Sequence, residues 1–224
     1  KRQIVRRAGD VIPEVVTSIP ERRSGSEIEW SLDKRCPCGD FDIVYVKDEK
    51  VPRCSGSYDC KISKKEMLIY FASKSGLDIE GLGRETVETL IANKLVENFE
   101  DFYSLTYEEL ISLPQWKEKK TKNLLEAIEK SKNSEQEKLL PALGIRYVGK
   151  QTSKLLVNTF GSIRNIFDAS TDEINKIHGI SESVSSSLIE WYSENTNKLL
   201  ITNLEEIGFG ISKKIQKTTG KFSG

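Results

Sequence analysis

Between residues 62 and 211, apolar side chains recur at the spacing of amphipathic helices, and short polar turns interrupt this pattern at nearly constant intervals. Four turns carry similar residues at the same phase: Glu-Gly-Leu-Gly at 80–83, Pro-Gln-Trp-Lys at 114–117, Arg-Tyr-Val-Gly at 146–149 and His-Gly-Ile-Ser at 178–181. These turns are 34, 32 and 32 residues apart. A fixed period of this length predicts a repeated helical hairpin, so the chain is predicted to be mainly α-helical.

Two capping boxes indicate how the hairpins are grouped. Thr106 with Glu109, and Ser170 with Glu173, have the residue types and spacing of this helix-starting motif. They lie 64 residues apart, twice the hairpin period, which predicts four hairpins arranged as two pairs. Five apolar residues are predicted to pack between the units: Phe99, Phe102, Phe160, Ile163 and Phe167.

The turns themselves suggest a chemistry. Gly81 and Gly83 flank one apolar residue just before a helix, and glycines at this spacing allow a sharp turn with exposed N–H groups. The positive end of the helix dipole lies behind them, so the arrangement suits a phosphate. The third turn keeps Gly149 and the fourth keeps Gly179, whereas the second has no glycine. A helical array that binds protein through its hairpins is an equally consistent reading of the period alone.

Residues 1–33 have a different pattern, with short β-branched runs and turn residues. The run at 11–16 contains Pro13, which confines a strand to a sheet edge. This is too little sheet to stand alone, so we expect these strands to complete a β domain that lies mostly upstream.

The only four cysteines form two close pairs, Cys36 with Cys38 and Cys54 with Cys60, separated by a segment that alternates like a strand. This pattern resembles a zinc ribbon in which four thiolates hold a structural Zn²⁺. The Cys-x-Cys pair departs from the usual two-residue spacing. The alternatives are two disulfides or inert thiols, and a catalytic thiol is disfavoured because the one histidine, His178, lies far along the chain.

The formal net charge is zero, with 34 basic and 34 acidic residues, but the charges are unevenly distributed. Residues 77–112 contain nine acidic and two basic residues, whereas residues 114–154 contain ten basic and five acidic ones. A basic stripe of this kind is typical of a DNA-binding surface and also of a solvated helix face. No apolar run reaches membrane-spanning length and no signal peptide is recognisable, so we expect no membrane partner. The chain starts without methionine, and we expect it to be a piece of a longer protein.

The ordered set of motifs resembles the C-terminal half of bacterial-type NAD-dependent DNA ligases. The segment at 7–13 is similar to the end of the family's OB domain, and the four-cysteine finger follows it. The segments at 78–83, 131–132 and 142–149 resemble its helix-hairpin-helix domain, and 220–224 resembles the entry to a BRCT domain. The resemblance implies terminal OB strands at 1–33, a four-cysteine zinc finger at 34–62, a helix-hairpin-helix domain at 63–211, and a linker at 212–224 toward a BRCT domain.

The resemblance implies nick sealing in replication and repair, at a cytoplasmic, nucleoid-associated location. The full-length enzyme uses NAD and Mg²⁺, and its adenylation domain carries a Lys-x-Asp-Gly motif that is absent from these residues. This chain should therefore be inactive alone, with no catalytic residue of its own, and should grip double-stranded nicked DNA. Two alternatives remain: a non-catalytic helix-hairpin-helix module of another repair protein, or a helical protein-interaction array.

The predicted DNA contacts are of two kinds and carry no sequence readout. Backbone N–H groups around four glycines are expected to meet phosphates: Gly81, Gly83, Gly149 and Gly179. Five side chains are expected to add positive charge beside them: Arg84, Lys117, Lys119, Arg146 and Lys150. Arg6 and Arg7 either reach DNA or are solvated strand charges, and Trp116 either plugs the domain or touches DNA.

Overall fold

The computed structural model of the protein describes residues 2–6, 13–45 and 51–212. Arg7, the side chain of Arg6 and the predicted linker beyond residue 212 lie outside the described residues.

Two small antiparallel sheets precede the helices. Strand β1 (Arg2–Arg6) pairs with β2 (Pro13–Ser18), and β3 (Ile43–Val44) pairs with β4 (Arg53–Cys54). Pro13 begins β2, where its missing N–H is tolerated. Between β2 and β3 a short 3-10 helix, Pro20–Arg22, is the one helical or strand element assigned. The assignment of residues 1–33 to an OB-fold stays a prediction.

The rest of the described chain is helical, which confirms the predicted mainly α fold. In chain order the helices are α1 (Lys61–Ala72), α2 (Arg84–Ala92), α3 (Tyr107–Ile111), α4 (Glu118–Ser131), α5 (Gln136–Ala142), α6 (Lys150–Phe160), α7 (Ile163–Asp168), α8 (Thr171–Asn175), α9 (Glu182–Ser193) and α10 (Asn195–Ile207). Helices α1 and α2, α3 and α4, α5 and α6, and α8 and α9 pack against each other as four hairpins. The α1 helix begins at Lys61, so the last two residues of the predicted finger belong to it.

Both predicted capping boxes are present. The Thr106 hydroxyl accepts from the Glu109 N–H, and the Glu109 carboxylate accepts from the Thr106 N–H at 2.9 Å. Ser170 and Glu173 repeat the arrangement at the start of α8. These caps begin α3 and α8, the first helices of the second and fourth hairpins, which confirms that both motifs start a helix.

The helices enclose one continuous apolar core. The Phe71 ring lies 4.8 Å from that of Phe99 and 6.3 Å from that of Phe102, and all three are buried. Helix α10 packs near the first pair of hairpins, where Asn203 donates a hydrogen bond to the Glu100 carboxylate at 2.9 Å. Just after α10, the Phe209 ring packs edge-on against the Tyr103 ring, with the ring centres 5.2 Å apart. The predicted core residues are accordingly buried or partly buried. Among the described residues, no helix has the length and apolarity needed to cross a bilayer.

Candidate nucleic-acid interface and metal centre

All four hairpin turns have the same backbone hydrogen bond. The N–H of the third turn residue in each motif (Leu82, Trp116, Val148 and Ile180) donates to the carbonyl three residues earlier, at 3.1, 3.2, 3.2 and 3.1 Å. The residue just before each of these donors has a positive φ, which together with the hydrogen bond is the pattern of a type II turn. The four motifs, which recur at nearly constant intervals in the sequence, therefore share one backbone conformation.

Glycine is not required for this shape. Gly81 and Gly179 have φ of +83° and +88°, and in the other two turns the same conformation is adopted by Gln115 (φ +67°) and Tyr147 (φ +62°). Side chains in this region of φ are strained, so the surrounding hairpin imposes the turn. The second hairpin, which the sequence shows as degenerate, thus keeps the geometry of the first.

Each turn leads into a helix whose N-terminal N–H groups have no side-chain cap. The N-cap residues are Gly83, Lys117, Gly149 and Ser181, and none of them makes a side-chain hydrogen bond to the first turn of its helix. By contrast, α3, α7 and α8 are capped by hydroxyl groups. The first N–H groups of a helix have no partner within it, so these four termini present donors and partial positive charge.

The fold of the chain does not require glycine at positions 83 and 149. Their φ values are −72° and −92°, which any residue adopts, and a Cβ added at either position would meet no atom within 4 Å. Lys117 and Ser181 show that side chains are accepted at the equivalent positions. Glycine here leaves the exposed helix terminus open to close approach from outside.

Four of the five predicted cationic side chains fall into two groups. Lys117, Lys119 and Lys150 are exposed and lie at or just after the N-caps of α4 and α6. Arg146 is half-buried: its guanidinium carbon lies 5.3 Å from the centre of the Tyr147 ring, and its Nη2 donates to the Tyr147 hydroxyl at 3.4 Å.

Arg84 belongs to neither group. It is the first residue of α2, and its two terminal nitrogens donate to the two carboxylate oxygens of Glu66 in α1, each at 2.7 Å. The Arg84 hydrogen bond holds the pKa of the Glu66 carboxyl below its usual value. Sequence reasoning missed Glu66, because the two residues are 18 positions apart on different helices.

Of the two predicted roles of Trp116, the structure shows the packing role: its side chain lies in the core of the domain. Its side chain is 8 % exposed and occupies the position of the buried Leu82 and Val148 in the other hairpins. Lys120 Nζ lies 4.0 Å above the centre of its ring, which is a cation–π contact.

The four cysteines come together although they are spread over 25 residues. Their sulfur atoms all lie within 4.8 Å of one another, and the Sγ atoms of Cys36 and Cys60 are 3.8 Å apart. Four thiolates at about 2.3 Å from a central zinc ion stand about 3.8 Å apart, so the cluster fits a tetrahedral metal. No disulfide joins any of them.

Local structure explains how the short Cys-x-Cys pair reaches this cluster. The Gly39 N–H donates to the Cys36 carbonyl at 2.9 Å, which folds the chain tightly around Cys38, and Gly39 has φ +87°. Cys54 ends β4 and Cys60 is the N-cap of α1. A Cβ on Gly56 would lie 2.3 Å from the Phe41 ring, so this glycine is needed for the finger to close.

Two of the four thiols, those of Cys36 and Cys60, have pKa values shifted in opposite directions. Burial opposes ionisation of Cys60, but the backbone and hydroxyl of Ser63 and the neighbouring thiols outweigh it and lower the Cys60 pKa to about 6. The Cys38 backbone favours the Cys36 thiolate, yet burial and the other thiols raise the pKa of Cys36 to about 12.

The fold and these sites together define a tandem helix-hairpin-helix protein with a four-cysteine cluster. Residues 138–201, which contain the third and fourth turns, match the family model described as helix-hairpin-helix motif. Nearly the whole chain is homologous to proteins named DNA ligase. It is 37% identical over 216 residues to that of Anoxybacillus flavithermus, 38% over 222 residues to that of Geobacter sulfurreducens, and 39% over 222 residues to that of Geobacter metallireducens.

These alignments cover 96%, 99% and 99% of the chain and 32%, 33% and 33% of the respective relatives. The chain thus spans about a third of the length of the curated relatives it matches. The predicted resemblance to DNA ligases is confirmed.

Proposed function

We propose that this chain is the DNA-binding, C-terminal portion of an NAD-dependent DNA ligase and holds nicked duplex DNA through phosphate contacts. The observation that carries the proposal is the pair Gly83 and Gly149. Neither backbone conformation nor packing within the chain requires glycine there, so its value lies in letting an external group approach the helix terminus. A phosphate is the group that uncapped N–H donors favour.

The second and third turns supply the positive charge. Residues 114–154 contain the excess of lysine and arginine, and three exposed lysines, Lys117, Lys119 and Lys150, lie beside the N-termini of α4 and α6. Arg146, held by Tyr147, adds a guanidinium next to the third turn. Contacts of this kind position a protein on the backbone without reading bases, which suits an enzyme that must act on any sequence.

In this proposal the four cysteines hold a structural Zn²⁺. Cys36, Cys38, Cys54 and Cys60 would occupy all four positions of a tetrahedral site, leaving none open for catalysis. Bound zinc would supply the cross-link that a small finger needs in place of a larger core. Because Cys60 is also the N-cap residue of α1, the metal would fix the start of the helix that opens the first hairpin.

The chemistry of the whole protein is inferred from the family resemblance and from the names of the relatives. NAD and Mg²⁺ would act in an adenylation domain outside these residues, since no Lys-x-Asp-Gly motif occurs here. The chain by itself should therefore bind DNA without sealing it.

A binding titration tests the proposal. Fluorescence anisotropy of a labelled nicked duplex, at several salt concentrations and with two unrelated sequences, should show affinity that falls log-linearly with salt and is independent of sequence. Gly83→Ala and Gly149→Ala should each weaken binding roughly tenfold, the loss of one to two good phosphate contacts. Ser181→Ala is the matched control, because a side chain already occupies that N-cap.

The outcomes separate the alternatives. Absence of binding at low salt, with the chain folded, would sink the proposal that this chain holds DNA by itself. It would leave either a protein-interaction array or a ligase domain that works only as part of a closed clamp around DNA. Binding that is unaffected by either glycine variant would show that DNA is held elsewhere. Metal content is tested separately by Co²⁺ substitution, since a tetrathiolate site gives intense thiolate-to-cobalt absorption that Cys36→Ser should abolish.

A further inference from the structure

The first and third hairpins both place a basic residue at the start of their second helix, but within the part of the chain that the structure describes only the first holds it in ion pairs. In α6 the first helical residue is Lys150, which is exposed and makes no ion pair among the described residues. In α2 the equivalent residue is Arg84, whose guanidinium forms a two-pronged pair with Glu66 at 2.7 Å and lies 3.7 Å from Glu88.

This pair is part of a network between α1 and α2. Lys65 Nζ in α1 lies 3.0 Å from the same Glu88 oxygen. The neighbouring α1 residues Lys65 and Glu66 therefore each form an ion pair with α2, Lys65 with Glu88 and Glu66 with Arg84. Exposed ion pairs usually contribute little, but two-pronged Arg–carboxylate geometry and a connected network are the cases in which they hold elements in place.

Because acidic side chains flank the first turn, the position of its N–H groups matters for binding a phosphate. Glu80 and Glu85 are exposed on either side of the turn, and Arg84 is the one basic residue of α2. With Arg84 paired to Glu66 and Glu88, the groups of the first turn that remain unpaired and positive are its N–H groups. Such short-range donors act only when the turn is correctly placed.

We propose that Arg84 is a positioning residue that fixes the first hairpin turn against α1 through Glu66, and that it does not itself bind a phosphate. This inference rests on the proposed DNA-binding function. Its consequence runs against simple electrostatics: Glu66, an acidic residue close to the DNA-binding turn, is required for tight DNA binding.

The two possible roles of Arg84, positioning the turn or binding a phosphate, predict opposite effects of Glu66→Gln on DNA affinity. If Arg84 positions the turn, Glu66→Gln and Arg84→Gln should each weaken binding of the duplex by roughly fivefold. The double variant should be no weaker than either single variant, because the two residues act through one contact. If Arg84 binds a phosphate, Glu66→Gln releases it and removes a negative charge, so binding should tighten.

Two further measurements separate positioning from direct contact. A phosphate-binding arginine contributes to the salt dependence, so Arg84→Gln would reduce the slope of log affinity against log salt by about 1. A positioning residue leaves the slope unchanged. Arg84→Lys keeps the charge but loses the planar fork, and should weaken binding nearly as much as Arg84→Gln.

Glu85→Gln is the matched control, because Glu85 is exposed on the same turn of α2 and its carboxylate makes no hydrogen bond or ion pair among the described residues. It should bind DNA as tightly as the unmodified chain or more tightly. Thermal unfolding of each variant confirms that it is folded. If the unmodified chain binds, Gly83→Ala weakens it and Glu66→Gln does not, this inference is overturned while the proposed function stands. If the unmodified chain does not bind, both fail.

Discussion

Thr121 occupies in α4 the position that Val87 occupies in α2: each is the fourth residue of its helix, and each is 0% exposed. The fourth residues of α6 and α9, Ser153 and Ser185, are also fully buried. A small residue at this point lets the second helix of each hairpin pack closely against the first. Val87 has no polar side-chain atom, and the hydroxyl groups of the other three residues differ in whether they find a hydrogen-bond partner.

Thr121→Val should stabilise the protein. The Thr121 hydroxyl is buried without a hydrogen-bond partner, which costs about 1 kcal/mol or more, and valine has nearly the same shape. For a chain of this size the melting temperature should rise by about 3 °C in a thermal unfolding experiment.

Ser153→Ala provides the contrast. The Ser153 hydroxyl donates to the Glu137 carbonyl at 2.9 Å, so its removal should lower the melting temperature. A lower melting temperature for Thr121→Val as well would mean that its hydroxyl has a partner, such as an ordered water.

Gly179→Ala and Gly149→Ala should differ in stability although both lie in hairpin turns. Gly179 has φ +88°, where a Cβ costs about 1 kcal/mol or more, whereas Gly149 has φ −92° and open space around it. We expect Gly179→Ala to lose about 1 kcal/mol of unfolding free energy in urea titrations, and Gly149→Ala to lose none. Equal losses for both variants would contradict the assignment of Gly149 to an external contact.

Much of this architecture could be predicted because it depends on local signals. The spacing of the four turns, the two capping boxes and the two cysteine pairs each reflect residues close in sequence. The left-handed Gln115 and Tyr147 could not be predicted, since intrinsic preference disfavours that conformation and the hairpin around them overrides it. The Glu66–Arg84 pair depends on how α1 and α2 pack, so the sequence showed Arg84 only as a free cation.

The capping boxes predict a specific pH dependence. Hydrogen bonds from the backbone N–H and then the hydroxyl of Thr106 hold the pKa of Glu109 below its usual value, and Ser170 does the same for Glu173. A carboxyl whose pKa is lowered by folding stabilises the native state above its unfolded pKa, and this stabilisation is lost as pH falls through the lowered value.

The double variant Glu109→Gln/Glu173→Gln should therefore melt slightly below the unmodified chain at pH 7, and the gap should close as the pH falls below about 4. Melting curves recorded across this range measure it. Glu108→Gln is the control, because Glu108 is exposed beside Glu109 and takes no part in the capping box. A gap that widens in acid would contradict the linkage.

The salt dependence of DNA binding should identify which lysines lie on the interface. Lys117 and Lys150 flank the N-termini of α4 and α6, while Lys130 lies in the last turn of α4, about 18 Å from its start at the helical rise per residue. Each lysine that neutralises a phosphate releases counterions and adds about 0.9 to the slope of log affinity against log salt. Lys117→Gln and Lys150→Gln should each reduce the slope by about that amount, and Lys130→Gln should leave it unchanged. A reduction for Lys130 equal to the others would place the DNA along the length of α4 and away from the hairpin turns.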